Sequence, residues 1–304
     1  MINNHRRMHK RHSWKGIEPV IMTAVTAGAF GLFGTTANLQ ASDDWKSDTI
    51  SPVTNPVFFE DPQVNSEVRP IFAYHNIDND FLTQGGAVQL YAVQLRWAVT
   101  ERFAIIAVKD GYINFDPDAG LPKTGGWADL AAGFKYALVD NKEAEFILTP
   151  GLTIELPTGN TRVFQGNGDG TWNPFISVGK GFGNFHITGN VGGIIPNNFA
   201  EETAQLRYSL QFDYKVHQYF IPFVAMNGFT VLSEGTALPL DVEGFDLINF
   251  GSSEANGFTQ LVTGVGFRSR ILESLDVGFA YEFPITSPRG LFGDRFTVDL
   301  IWRF

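Results

Sequence analysis

The chain has 304 residues, no Cys, and a formal charge of −10. Without Cys there is no disulfide framework, no thiolate metal site and no thiolate nucleophile. The acidic balance, with no cluster of Lys and Arg beyond the N-terminus, excludes a nucleic-acid partner, because phosphate binding needs clustered positive charge.

Residues 1–41 read as a secretory signal peptide. Arg6, Arg7, Lys10, Arg11 and Lys15 precede the apolar run Val20 to Phe33, and small residues then end at Ala37 and Ala41, either of which suits cleavage. An uncleaved anchor is the competing reading, but such a run rises only about 21 Å as a helix, short of a hydrocarbon core of roughly 30 Å. Nothing after Ala41 offers an apolar run long enough for a transmembrane helix, so an integral membrane protein made from this chain has to span as a barrel. Residues 42–65 (SDDWKSDTISPVTNPVFFEDPQVN) are acidic, contain Pro and lack periodicity, as expected of a periplasmic segment ahead of the barrel. The pair Phe58-Phe59 needs burial, which docking in the barrel mouth would supply; a solvated linker is the alternative.

Twelve strands are expected in residues 66–304. The first runs near Glu67 to His75 and the second near Leu90 to Val99, and Thr100-Glu101-Arg102 turns tightly into a third, Phe103 to Tyr112. A long loop rich in Asp, Pro and Gly leads to the fourth, Trp127 to Leu138, followed by the fifth, Ala144 to Leu156, and the sixth, Trp172 to Lys180. The seventh ends near Ile195, the eighth is Ala204 to Lys215, and the ninth, Tyr219 to Val231, is followed by the longest loop, 232–256. Phe258 to Arg270, Leu275 to Pro284 and the closing stretch Arg295 to Phe304 complete the set. Long and short connections alternate without exception. That segregation suits a transmembrane barrel with short periplasmic turns and long extracellular loops, whereas Greek-key sandwiches have no reason for it.

The faces of the strands agree with this reading. In the eighth, Leu206, Tyr208, Leu210, Phe212 and Tyr214 oppose Gln205, Arg207, Ser209, Gln211, Asp213 and Lys215. The fourth, fifth and eleventh repeat the pattern; the third, sixth and ninth alternate too weakly for faces to be assigned. A charge facing the bilayer midplane costs about 2–4 kcal/mol, so the apolar faces must meet lipid and the polar faces a lumen. The expected lumen residues are Arg69, Arg96, Asp129, Lys135, Glu145, Glu155, His186, Arg207, Asp213, Lys215, Arg268, Asp276, Glu282, Asp299 and Arg303. Trp97, Trp127, Trp172, Tyr219 and Trp302 fall near strand ends, where they would form interfacial girdles.

The glycine-rich loop residues invite a nucleotide or calcium reading, but no Walker lysine follows them and the further acidic ligands of a calcium loop are missing. Turn chemistry explains them. The order Pro157-Thr158-Gly159-Asn160, Gly166-Asn167-Gly168-Asp169-Gly170, Trp172-Asn173-Pro174-Phe175, with SPVTNPVFFEDP at 51–62, resembles outer-membrane proteins grouped with the MetA-pathway-of-phenol-degradation family, over about Ser51 to Phe304. The resemblance implies a barrel and transport of small compounds, hydrophobic ones included, and supplies no catalytic residues. A barrel enzyme is the rival class, since His186-Ile187-Thr188-Gly189-Asn190 looks like a polar constellation; Thr188, however, stands where a Ser nucleophile would be wanted. His75 and His217 are isolated, with no zinc spacing.

In the closing stretch Phe296, Val298, Leu300, Trp302 and Phe304 share one face and Arg295, Thr297, Asp299 and Arg303 the other; Ile301 alone breaks the pattern. It resembles the last strand of bacterial outer-membrane barrels, whose terminal Phe and alternating apolar residues are read by the barrel-assembly machinery, and this implies that role for those five apolar residues. The reading is therefore all-β: a single 12-stranded antiparallel transmembrane β-barrel in the outer membrane of a Gram-negative-type bacterium, working as a passive channel or transporter. Its expected partners are outer-membrane lipid, lipopolysaccharide, the assembly machinery and a small-molecule substrate, with no cofactor, metal or nucleic acid. A structural or adhesive barrel with a closed lumen is the alternative. Strand counts near twelve lie between barrels filled by side chains and open porins. A narrow bore follows, with 42–65 occluding the periplasmic mouth and the loops at 157–160 and 232–256 folding over the other.

Overall fold

The computed structural model describes residues 45–304, so the expected signal peptide, 1–41, lies outside the described residues. A short helix, α1 (Trp45–Asp48), and an extended segment come first. The strands are β1 (Glu67–Ile77), β2 (Gly86–Ala98), β3 (Phe103–Lys109), β4 (Tyr112–Pro117), β5 (Thr124–Trp127), β6 (Leu130–Tyr136), β7 (Val139–Asn141) and β8 (Phe146–Leu156). They continue with β9 (Thr171–Phe182), β10 (Phe185–Pro196), β11 (Ala204–Tyr214), β12 (Ile221–Ser233), β13 (Thr259–Leu272), β14 (Leu275–Pro284) and β15 (Phe292–Arg303). Every strand pairing is antiparallel; β2 pairs with both β3 and β4, β3 with β6, β4 with β5 and β6 with β8, the remaining pairs are chain neighbours, and β15 returns to β1, with Glu67 opposite both Arg303 and Arg96. The sheet thus has no edge. It is a closed barrel of twelve wall strands, in which β3 with β4 and β5 with β6 each make one interrupted strand and β7 is a short extension on β8.

The interruption corrects the sequence reading, which ends the third strand at Tyr112 and opens the fourth at Trp127. In Tyr112–Pro117 the side chains alternate outward and inward, with Ile113 and Phe115 buried, so the strand continues past the Asp- and Pro-bearing residues. The break falls at Asp110 and Gly111. Gly111 has φ +106°, and a Cβ there would lie 2.3 Å from the Tyr91 carbonyl oxygen, so only glycine fits. The Asp110 carboxylate accepts the Val93 N–H at 2.9 Å, replacing the ladder bond that the break removes.

The period-two faces follow from burial. Leu206 and Phe212 are exposed on β11 while Gln205, Arg207, Gln211 and Asp213 are buried. Two of the strands that alternate weakly in sequence do so because their inner faces are apolar too: Ala104, Ile106 and Val108 on β3, and Ile221, Phe223, Ala225 and Phe229 on β12, are buried, whereas β9 turns Thr171, Asn173 and Ser177 inward. Ile301, which breaks the closing pattern, is fully buried on the inner face. Trp97, Trp127, Trp172, Tyr219 and Trp302 are exposed.

The barrel interior is where the core sits, and two non-strand segments fill it. Ile50 and Val53 of the N-terminal segment cluster with Ile221, Phe223, Ala225 and Ala280 of the wall, and Phe59 is buried as well. From the other end the connection 234–258 turns inward, burying Phe245, Leu247, Ile248 and Phe250. Leu247, Ile248 and Phe250 meet Val57 of the N-terminal segment in one cluster with Leu90, Ile113 and Phe115. Burying each such side chain stabilises the arrangement by about 1.5–3 kcal/mol.

Candidate functional site

Three ion-pair clusters tie these inserted segments to the inner wall. In the first, Arg96 of β2 donates to both carboxylate oxygens of Glu60, at 2.9 and 2.6 Å, and Lys135 of β6 reaches the same carboxylate at 2.7 Å. Burial alone would raise the Glu60 pKa, but the two cations win and hold it down at about 2. Arg96 also contacts Glu67 at 3.3 Å. In the second, Asp299 of β15 accepts from Arg268 at 2.8 and 2.9 Å and from Arg69, and these guanidinium groups donate onward to the Ser51 and Pro52 carbonyls. In the third, Arg295 holds Asp246 of the 234–258 connection at 2.7 and 2.8 Å and Glu282 at 2.8 Å, while Glu282 accepts the Asn55 N–H at 3.2 Å.

Further bonds run along the segment. Lys215 pairs with Asp48, Lys46 with Asp140, Gln94 donates to the Pro56 carbonyl at 2.7 Å, Ser177 to that of Glu60 at 2.7 Å and Thr149 to that of Pro62 at 2.6 Å. Backbone carbonyls of a segment outside the sheet are thus satisfied by wall side chains, as buried backbone requires. The segment has no strand pairing of its own.

The remaining residues expected in the lumen lie as follows. His186 and Asp213 are both buried and bond at 2.7 Å. Asp276 binds Arg303 at 2.8 Å and Arg270 at 3.3 Å, and Glu155 binds Lys109. Asp129 is buried between β5 and β6 and accepts the N–H groups of Gly159 at 2.8 Å and Gly166 at 2.9 Å, so it fastens two points of the β8–β9 connection to that strand break. Glu145 accepts the Gly183 N–H at 3.2 Å in the short-turn end. Arg207 is buried against Phe58, its guanidinium carbon 4.1 Å from the ring centre. Phe296, Leu300, Trp302 and Phe304 are exposed and Val298 half-buried on the outer face. Among the described residues no group of three or more His, Asp or Glu side chains could hold a metal ion.

Sequence reasoning missed Glu60, Glu67, Asp246, Arg295 and Lys109 as members of these clusters. Arg295 was legible, since it shares the polar face of the closing strand with Asp299. Glu60 and Asp246 were not, because they lie in segments without periodicity and their partners stand far away in sequence. Another buried acid, Glu202, sits in the turn between β10 and β11 beside Gly168; burial, then Glu155, pushes its carboxyl up to about 8.

No protein family matches the chain by sequence, and no curated protein does. The kinship to the phenol-degradation family therefore remains a likeness of short motifs. In three dimensions, 84% of the chain superposes on the whole of the COG4313 outer membrane channel from Pseudomonas putida F1, with a TM-score of 0.57 at 14% identity. A similar share, 79%, covers the whole of the NanC porin with a TM-score of 0.50 at 5% identity. The likeness is one of fold. An all-β, 12-stranded antiparallel barrel of the outer-membrane type is what the chain forms.

Proposed function

We propose that the protein is a passive outer-membrane channel for small molecules, hydrophobic or amphipathic ones among them, seen here with its lumen occupied by its own N-terminal segment. The observation that carries this reading is the nature of the obstruction. The segment 45–65 precedes the first wall strand, makes no sheet pairing, and is held by side-chain bonds and apolar contacts. It can leave the lumen without any ladder bond of the wall being broken, which a plug built from strand side chains could not do. The apolar inner patches of β3 and β12 favour cargo with an apolar body over a fully hydrated ion. The barrel-type fold supports a bacterial outer-membrane location, and the expected assembly role of Phe304 goes with it.

The filled interior also favours a second reading, a structural barrel whose lumen stays closed. Conductance across planar bilayers separates the two. In the channel reading the full chain gives small, infrequent steps, and Glu60→Ala, which removes the acid shared by Arg96 and Lys135, gives larger and longer ones. Silence from both proteins would favour the closed barrel.

A further inference from the structure

Five arginines are buried in the interior: Arg69, Arg96, Arg207, Arg268 and Arg295. Four of them have a carboxylate within ion-pair distance; among the described residues Arg207 has none. Its Nη2 donates to Gln205 Oε1 at 2.6 Å and to the Phe245 carbonyl, while Nε and Nη1 have no partner among the described residues. A guanidinium taken out of water without its counter-ion is unfavourable, and a buried N–H left unbonded adds to the cost. Other buried polar atoms also lack a bond, Arg295 Nη2 among them, but each of the other four buried arginines has its carboxylate, and a ligand would supply the one Arg207 is without.

Arg207 lines a cavity of about 20 Å³, room for one water molecule, between the N-terminal segment and the wall. The lining is mixed: Val57 and Phe58 of the segment and Ile106, Val108 and Phe175 of β3 and β9 are apolar, while Glu60 of the segment and Thr153, Asn173 and Asn190 of the wall are polar. Phe58 lies on the guanidinium at 4.1 Å and Phe229 stands at 5.0 Å, so aromatic faces cover the charge, while the carboxylates of Asp246, Glu243 and Glu155 act on it only from beyond ion-pair distance. Phe58 belongs to the segment that blocks the lumen. When it withdraws, a cation with two free N–H donors and a partly apolar wall face the space it leaves.

We infer that Arg207 is the recognition point for the carboxylate of a small amphiphilic monocarboxylate, whose apolar body takes the place that Phe58 fills in the closed state. One guanidinium compensates one negative charge, and with Nη2 already engaged a carboxylate oxygen meets one of the two free donors, Nε or Nη1, in a single charge-assisted bond. The aromatic ring now stacked on it marks the shape the body would have. The inference rests on the channel reading and names the chemistry of its cargo.

The test uses the full chain in a non-ionic detergent with Phe58→Ala, which vacates the space, and titrates phenylacetate against its uncharged analogue phenylacetamide by calorimetry. Phenylacetate should bind saturably and about tenfold tighter than the amide, as a charge-assisted pair requires. Arg207→Gln in the same background should remove the preference and Arg207→Lys retain part of it. Equal affinities for acid and amide while Arg207 is present overturn the inference, whether or not the Gln variant folds. Bilayer conductance of Phe58→Ala is read separately. Conduction without acid preference sinks the carboxylate assignment alone, whereas acid preference in a silent barrel supports the assignment and sinks the channel reading.

Discussion

Glu60 carries the heaviest electrostatic duty in the inserted segment, because two wall cations depend on it. Removing one partner of a buried ion pair costs about 3–5 kcal/mol, since the remaining charge stays buried and unpaired. Glu60→Gln should therefore raise the undocked population of 45–65 by several powers of ten, read as faster amide exchange and easier proteolysis within the segment while the wall stays protected. The pH dependence has a definite sign. The Glu60 carboxyl is depressed from 4.5 to about 2, so its stabilisation is complete above 4.5 and is lost only as pH falls towards 2. Segment protection should hold at pH 5 and collapse in strong acid. Glu202 behaves oppositely. Its pKa is raised from 4.5 to about 8, so the folded state retains a proton that the unfolded state has lost, and stability declines as pH rises through that window. Glu202→Gln should leave the melting temperature unchanged below pH 4.5 and raise it above pH 8. A variant that melts like the parent at pH 9 would show that this carboxyl is solvated.

At the scale of elements, the strands that could be read were those whose two faces meet different surroundings. β11 and β15 separate lipid from a polar interior, and the alternation of Leu206 to Tyr214 or Phe296 to Phe304 records it. β3 and β12 could not be read because their inner faces pack on apolar side chains brought from afar: Val64 reaches the cluster of Ile106 and Val108, and Ile50 and Val53 reach that of Phe223. With both faces apolar the period vanishes. The connection 234–258 was illegible in detail for a related reason, since Asp246 finds Arg295 and Phe245 packs against Phe229 and edge-on to Phe292 only after the barrel closes. The closing strand yields its own prediction. Phe304 is exposed on the outer face beyond Trp302, and its amide bonds only to the Ser66 carbonyl at 3.2 Å, so little of the folded barrel depends on it. Deleting Phe304 should lower the amount of barrel assembled in the outer membrane without lowering export. Undiminished surface labelling of the truncated chain would refute the assembly role.

For the molecule as a whole, closure through the β1 and β15 pairing leaves no edge for detergent to open, and hydrogen bonds and ion pairs tie the inserted segment to β1, β2, β6, β8, β9, β11, β13 and β14. Unheated protein in detergent should therefore migrate faster on a gel than boiled protein. The central claim is that transport requires the segment to leave the lumen, and the absence of Cys from the chain allows it to be tested without interference. A Cβ on Gly264 of β13 would lie 3.5 Å from the Cβ of Thr54 in the segment, within disulfide reach, so Thr54→Cys with Gly264→Cys places the only two thiols side by side. Single-channel recording of this protein in planar bilayers, before and after reduction, is the most direct measurement. The disulfide form should be silent and reduction should bring conductance steps, whereas equal conductance in the two states would show that the segment does not gate the barrel.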